Sequence, residues 1–193
     1  FAVPAILSYF NKIINAKAQE LMKTSNIVDN ISARKKAVIQ LFGENLRIFP
    51  IGAAPLNLDI VQSIQELDIL VLNGYGLTET CGSITVNPND DNRIGSVGRI
   101  NFNSKARIIE GELAFKNPYL FKGYYKDIDA TEKAFDGEWF LSGDLGYIED
   151  NYVFITGRKK NLIVLPNGKK VSPEELETEM LKIEEIKEVI ICE

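Results

Sequence analysis

The run Asn73-Gly74-Tyr75-Gly76-Leu77-Thr78-Glu79-Thr80 concentrates more chemistry than any other stretch of the chain. It follows the apolar segment Ile69-Leu70-Val71-Leu72, which reads as a buried strand. The run therefore falls at a strand's carboxyl end, where open α/β sheets take their ligands. Glycines on either side of Tyr75 let the backbone approach a flat ligand, and the ring can stack on it. Thr78 offers a hydroxyl suited to a phosphate oxygen, and Glu79 a hard oxygen suited to Mg²⁺. The same residues also describe a Gly-rich turn with a buried Tyr and a helix-capping Thr, and on the residues alone both readings stand.

Three further segments carry a similar choice. Gly52-Ala53-Ala54-Pro55 is either a flat wall against an aromatic ring or a tight strand-to-helix turn. Trp139-Phe140-Leu141-Ser142-Gly143-Asp144-Leu145-Gly146 reads as an apolar, glycine-framed loop around one acid. Asp144 there either caps its own backbone or accepts hydrogen bonds from two ribose hydroxyls. Gly157-Arg158-Lys159-Lys160 is either a solvated basic turn or a hinge in which Arg158 presents a planar fork to ribose or phosphate oxygens. Gly111–Pro118 and Lys122-Gly123-Tyr124-Tyr125 read as structural, with Glu112 supporting nearby backbone. Cys81 reads as a small buried hydrophobe, and the Met and Phe residues as core.

Composition removes other chemistries. The 193 residues contain no histidine, which excludes Ser-His-Asp and Cys-His mechanisms and His-ligated metals within the chain. Two cysteines far apart, Cys81 and Cys192, form no CxxC pair and fit a reduced, cytoplasmic setting. A formal net charge of −5 argues against nucleic acid as a partner. No apolar run approaches the roughly 18 residues of a membrane span, which leaves peripheral membrane contact of a parent protein open. The chain starts on Phe1 and stops on Glu193 within an apolar run, so it is expected to be a piece of a longer protein.

The elements that must position these residues follow from periodicity. Residues 1–23 read as helix, with Ile6, Leu7, Phe10, Ile13, Ile14 and Leu21 at three- and four-residue spacing and Pro4 in the first turn. Residues 24–45 read as a second helix, with Ala33, Ala37, Val38 and Leu41 on one face and Gly43 as the stop. Residues 46–52 predict a strand, 57–67 a helix and 69–73 a second strand, a βαβ unit with parallel strands. Beyond Asn87 the pattern becomes loops and short strands at 106–109, 113–116, 146–149 and 152–156, punctuated by glycines and Asp150-Asn151. Pro166-Asn167-Gly168 predicts a hairpin turn. Ser172-Pro173 predicts a helix that Ser172 caps and that runs to about Lys182, and 189–192 predict a further strand. The fold class is α/β, a parallel βαβ sheet plus a β-rich subdomain.

The order and spacing of these motifs resemble the adenylate-forming (AMP-binding) superfamily, which includes acyl-CoA synthetases, peptide-synthetase adenylation domains and beetle luciferases. The resemblance runs over nearly the whole chain. Tyr75–Thr80 looks like the family's nucleotide motif, and Phe140–Gly146 like its Phe-x-x-Gly-Asp-Leu-Gly segment. Gly157–Asn161 is similar to its hinge segment, with Asn161 where an acidic residue is frequent. The stretch Gly157–Glu177, the opening Val3–Leu7 and the long helical stretch before Leu46 look most like bacterial long-chain fatty acyl-CoA synthetases.

The resemblance implies a two-step reaction: a carboxylate attacks the α-phosphate of ATP to give acyl-AMP, and the thiol of coenzyme A then displaces AMP. It implies that Tyr75 stacks on adenine beside Gly52, Ala53, Ala54 and Pro55, with Gly74 and Gly76 allowing close approach. Thr78 would contact the α-phosphate, Glu79 would hold Mg²⁺, and Asp144 and Arg158 the ribose hydroxyls; Thr78 and Glu79 are the catalytic pair. Tyr75, Thr78, Asp144 and Arg158 are expected to converge on one cleft.

Domain organisation follows from the same resemblance. Residues 1–157 correspond to the C-terminal part of the large domain (1–86 α/β, 87–157 β-rich), 158–160 to a hinge centred on Lys160, and 161–193 to the start of a small C-terminal domain. The family's phosphate-cradling loop and its C-terminal catalytic Lys fall outside these residues, so the chain alone is expected not to turn over. Its partners are the small molecules ATP, a fatty acid and coenzyme A. Two other readings are an enzyme that adenylates another acid or loads a carrier protein, and a non-catalytic nucleotide-binding module.

Overall fold

A computed structural model describes residues 4–25, 27–52, 57–181, 183, 186 and 188–192 of the chain. It divides into two compact units, residues 1–75 with 86–98 and residues 76–85 with 99–193.

In the first unit, α1 (Pro4–Thr24) buries Leu7, Phe10, Ile14, Ala18 and Leu21, one stripe at three- and four-residue steps. The second helix is shorter than its periodicity suggests, because α2 (Asn30–Phe42) starts where a cap is available: Asp29 accepts from the Ser32 N–H at 2.8 Å. It stops at Gly43, at φ 86°, whose N–H donates to Ile39. Ala33, Ala37 and Val38 pack inward as expected, whereas Leu41 is exposed. β1 (Ile48–Gly52) and β2 (Leu70–Leu77) are parallel neighbours with α3 (Leu58–Gln65) between them in sequence. Asn57 caps α3 by accepting from Asp59 and Ile60. Ile51, Val61, Ile64, Ile69 and Val71 join the α1 and α2 stripes in one core. Burying each such side chain is worth about 1.5–3 kcal/mol.

In the second unit, the neighbour order is β3 (Gly82–Val86), β4 (Arg99–Ile100), β9 (Tyr152–Arg158), β8 (Trp139–Glu149), β6 (Glu112–Lys116) and β5 (Lys105–Ile109). The pairs β4–β9, β8–β9, β6–β8 and β5–β6 are antiparallel. β7 (Phe135–Asp136) adds to β8, and α4 (Ile128–Lys133) precedes it. Two of the hairpin turns, Glu110-Gly111 and Asp150-Asn151, have both residues at positive φ, the geometry that matches strand twist. Leu113, Ala114, Phe115, Phe140, Tyr152 and Val153 are buried. β10 (Ile163–Val164) and β11 (Lys170–Val171) form the expected small hairpin, followed by α5 (Pro173–Met180).

The α/β class is borne out, and several local expectations are corrected. Residues 139–146 are not a loop but most of β8, the longest strand among the described residues. Cys81 is exposed, at φ 54° in the turn after β2, because the chain reverses there. Met22, Met180, Phe42 and Phe102 are exposed, Phe102 at 95%. Ser172 stands at the N-cap of α5 with Pro173 behind it as expected, but its hydroxyl makes no capping bond and turns back to the Thr156 carbonyl at 3.0 Å. Residues 189–192 form no strand.

Candidate functional site

The first unit sets two small residues side by side. Parallel pairing places Gly52, the last residue of β1, opposite Gly74 in the middle of β2, and the buried Tyr75 follows on β2. Ala53, Ala54 and Pro55 lie outside the described residues. The polar loop after β3 closes on the same strand, where the Asn73 amide donates to the Ser96 carbonyl at 3.1 Å. Buried Asn87 accepts from the Arg93 N–H at 3.1 Å.

The Gly-Tyr-Gly motif is strand rather than loop, since β2 continues to Leu77. Gly76 is required by contact: a Cβ there would lie 2.1 Å from the Gly82 carbonyl oxygen. A single 3₁₀ turn, Thr78–Thr80, follows. Its capping hydroxyl belongs to buried Thr80, which accepts from the Leu77 N–H at 2.8 Å and reaches the Gly82 carbonyl at 2.7 Å. Thr78 is exposed. The capping alternative left open for the motif's threonines is thus met by Thr80.

Glu79 is half-buried and held twice. Its carbonyl accepts from the Phe121 N–H at 2.8 Å, and its Oε1 accepts from the Tyr124 hydroxyl at 2.9 Å. Burial first, then the bond to the Glu79 carboxylate, raise the Tyr124 phenol above its ordinary value. Among the described residues no three His, Cys, Asp or Glu side chains gather as a metal cage. Mg²⁺ is commonly taken by one or two carboxylates plus substrate phosphates, so a single oriented Glu79 fits that ion.

Asp144 and Arg158 stand opposite each other on β8 and β9, although distant in sequence. The Arg158 Nε donates to Asp144 Oδ1 at 2.8 Å; the Asp144 side chain is 3% exposed and that of Arg158 is 44% exposed. A buried carboxylate thus meets a cation that also faces solvent. Gly143, Arg158, Lys159 and Lys160 line a cavity of about 270 Å³. The backbone of Gly143, at φ 74°, donates to the buried carboxylate of Glu112 at 2.7 Å, and Lys159 Nζ donates to the other oxygen of Glu112 at 2.7 Å. The Glu112 bond, ahead of an opposing burial effect, raises the Lys159 ammonium above the usual lysine value.

Lys160 sits in a 3₁₀ turn, Lys159–Asn161. The segment after it is seated on β9: a Cβ on Gly157 would lie 2.3 Å from Ser172 Oγ, and Ser172 contacts Glu174 at 2.9 Å. Burial of Glu174 is outweighed by hydrogen bonds from Asn161, its own N–H and Ser172, so its carboxyl lies below its ordinary value.

The structure therefore joins Asp144 with Arg158, and Gly52 with Gly74. Tyr75 belongs to the first unit, and Thr78, Glu79 and Lys160 to the second. The reading of Glu112 as a support for nearby backbone is met by its bond from the Gly143 N–H, whereas sequence reasoning missed its tie to Lys159 and missed Tyr124 as the partner of Glu79. An acid opening the otherwise apolar strand Leu113-Ala114-Phe115 was the available signal for Glu112; Tyr124 carried none.

The profile of the AMP-binding enzyme family matches residues 1–125. The long-chain-fatty-acid–CoA ligase FadD15 of Mycobacterium bovis is 38% identical over 140 residues, covering 72% of this chain and 23% of that protein. The 2-succinylbenzoate–CoA ligase of Listeria innocua is 33% identical over 151 residues, covering 76% and 32%. In fold, the chain is similar to the o-succinylbenzoate CoA synthetase of Bacillus subtilis solved in complex with ATP and magnesium ion. That match has a TM-score of 0.73 at 24% identity and covers 97% of this chain and 37% of that one. The chain spans about a quarter to a third of the length of these curated relatives.

Proposed function

This chain belongs to the AMP-binding enzyme family, and we propose that it carries nucleotide-binding machinery of an acid–CoA ligase that works through an acyl-adenylate. The proposed acid is a long-chain fatty acid and the proposed setting the cytoplasm. The observation that carries the reading is the Asp144–Arg158 pair beside a cavity walled by Arg158, Lys159 and Lys160.

Each residue has a physical task in that reaction. Attack of a carboxylate oxygen on the α-phosphorus expels pyrophosphate, so positioning and charge neutralisation supply most of the catalysis. Asp144, buried, presents carboxylate oxygens that suit a ribose diol, and its pairing with Arg158 aims them. Arg158 keeps enough exposure to reach a ribose or phosphate oxygen of the ligand. Thr78 directs an exposed hydroxyl to the α-phosphate. Tyr75 and the Gly52–Gly74 wall suit the adenine plane. Glu79 would hold Mg²⁺, which when bound neutralises phosphate charge. The proposed hinge at Lys160 would let a C-terminal domain rotate between adenylation and thiol transfer.

The fatty-acid assignment is supported by the form of residues 157–177 and by the 38% identity to FadD15. A second reading, a ligase for an aromatic dicarboxylic acid, is favoured by the 33% identity to a 2-succinylbenzoate–CoA ligase. Pyrophosphate release from ATP by the whole protein bearing this chain, with fatty acids of graded length and with 2-succinylbenzoate, separates the two. Release with neither acid class refutes both.

A further inference from the structure

Glu112 opens β6 with a side chain that is only 5% exposed. A buried carboxylate is costly unless charged or hydrogen-bonding partners meet it. Here two do, one on each oxygen: the Gly143 N–H at 2.7 Å and Lys159 Nζ at 2.7 Å. Their places in the chain matter. Gly143 immediately precedes Asp144, Lys159 immediately follows Arg158, and Asp144 and Arg158 are register partners. One side chain on β6 therefore brackets the pair on β8 and β9.

The sheet needs such a bracket at this point. Register shifts between Glu112 and Ala114 in the β6–β8 pairing, and between Leu145 and Gly146 in the β8–β9 pairing. Gly143 is at φ 74°, outside strand geometry. Bulges of this kind re-aim side chains next to functional sites, but they also remove the ladder hydrogen bonds that would fix the aim. Side chains replace those bonds. Ser142 Oγ donates to the Leu113 carbonyl at 2.7 Å and accepts from the Asp144 N–H at 3.1 Å. Glu112 takes the Gly143 N–H and adds the charged tether to Lys159.

We propose that Glu112 is a positioning residue: its bonds to Gly143 and Lys159 set the geometry of the Asp144–Arg158 pair, and through it the affinity for the ribose of a nucleotide. The consequence for affinity rests on the nucleotide-site reading, whereas the coupling to Arg158 does not.

The test is solvent exchange of the Arg158 Nε–H, followed by NMR on the ¹⁵N-labelled chain, alongside AMP titration. Glu112→Gln keeps an acceptor for Gly143 but removes the charge facing Lys159. Lys159→Met removes that arm alone, and Glu112→Ala removes both. Glu138→Gln, which disrupts the surface pair with Lys116, is the control. Expected are faster Arg158 Nε–H exchange in the order Ala, Gln, wild type, and an AMP Kd raised about tenfold in Glu112→Ala, the loss of one good hydrogen bond. Glu138→Gln should match wild type. If Glu112→Ala does not fold, Glu112→Gln and Lys159→Met decide; wild-type exchange in both overturns the proposal. Should wild type bind no AMP while exchange still follows Glu112, the coupling stands and the nucleotide reading falls. Normal AMP binding with exchange indifferent to Glu112 overturns the proposal and spares that reading.

Discussion

Replacing either member of the Asp144–Arg158 pair should have unequal effects on folding. The Asp144 side chain is 3% exposed and that of Arg158 44%, so the two partners differ in what their loss leaves behind. Arg158→Met removes the charged partner that faces a buried carboxylate. A hydrogen bond to a charged group contributes about 1.5–3 kcal/mol, and removing one partner of a fully buried pair costs about 3–5 kcal/mol. Half-exposure of Arg158 lets solvent screen the pair, which points to the lower range, about 2–3 kcal/mol. Asp144→Asn leaves a guanidinium that can turn to water and keeps a carbonyl acceptor, so its cost should stay below about 1 kcal/mol. Urea denaturation of the chain followed by far-UV circular dichroism measures both. An Asp144→Asn variant destabilised as much as Arg158→Met would refute the reasoning, because it would show that the pair's cost does not follow burial.

Two further outcomes follow from the site. Tyr124→Phe removes the hydroxyl that holds Glu79 Oε1, so the affinity of the whole protein's ATP complex for Mn²⁺, read by water-proton relaxation, should fall about three- to tenfold, the scale of one modest hydrogen bond. Lys159 titrates above its ordinary value because Glu112 accepts from it. Its stabilising contribution is therefore complete below the unfolded lysine pKa of about 10.4 and is lost as pH rises through the higher folded value. Denaturation midpoints taken across that alkaline range should fall more steeply for wild type than for Lys159→Met, and parallel curves would contradict the assignment.

How much the sequence revealed depended on whether the deciding interaction was local. The α1 stripe, the Gly43 stop and the parallel strands around α3 were legible because periodicity and caps act within a few residues. β8 is not legible as a strand from sequence because Ser142, Gly143 and Asp144 are poor strand formers. Its burial nevertheless alternates at Phe140, Ser142 and Asp144, and the polar members are satisfied by Leu113 and Arg158, far away in sequence. The resemblance implies that Asp144 and Arg158 serve one ribose, and the register is what brings the two side chains together. The bracket by Glu112 depends on two register shifts, which no local pattern announces. Cys81 was placed inside because cysteine is usually buried, whereas the reversal after Thr80 turns it outward.

The central claim is that Asp144 and Arg158 receive the ribose of an adenine nucleotide. It is tested most directly by comparing AMP with 2′,3′-dideoxy-AMP, which lacks both hydroxyls, in titrations of the ¹⁵N-labelled chain. AMP should shift the signals of Gly143, Asp144 and Arg158. The dideoxy compound should bind at least about tenfold more weakly, since two ribose hydrogen bonds to a buried carboxylate are lost. Equal affinity for the two nucleotides, or AMP binding that leaves those three signals unmoved, would contradict it.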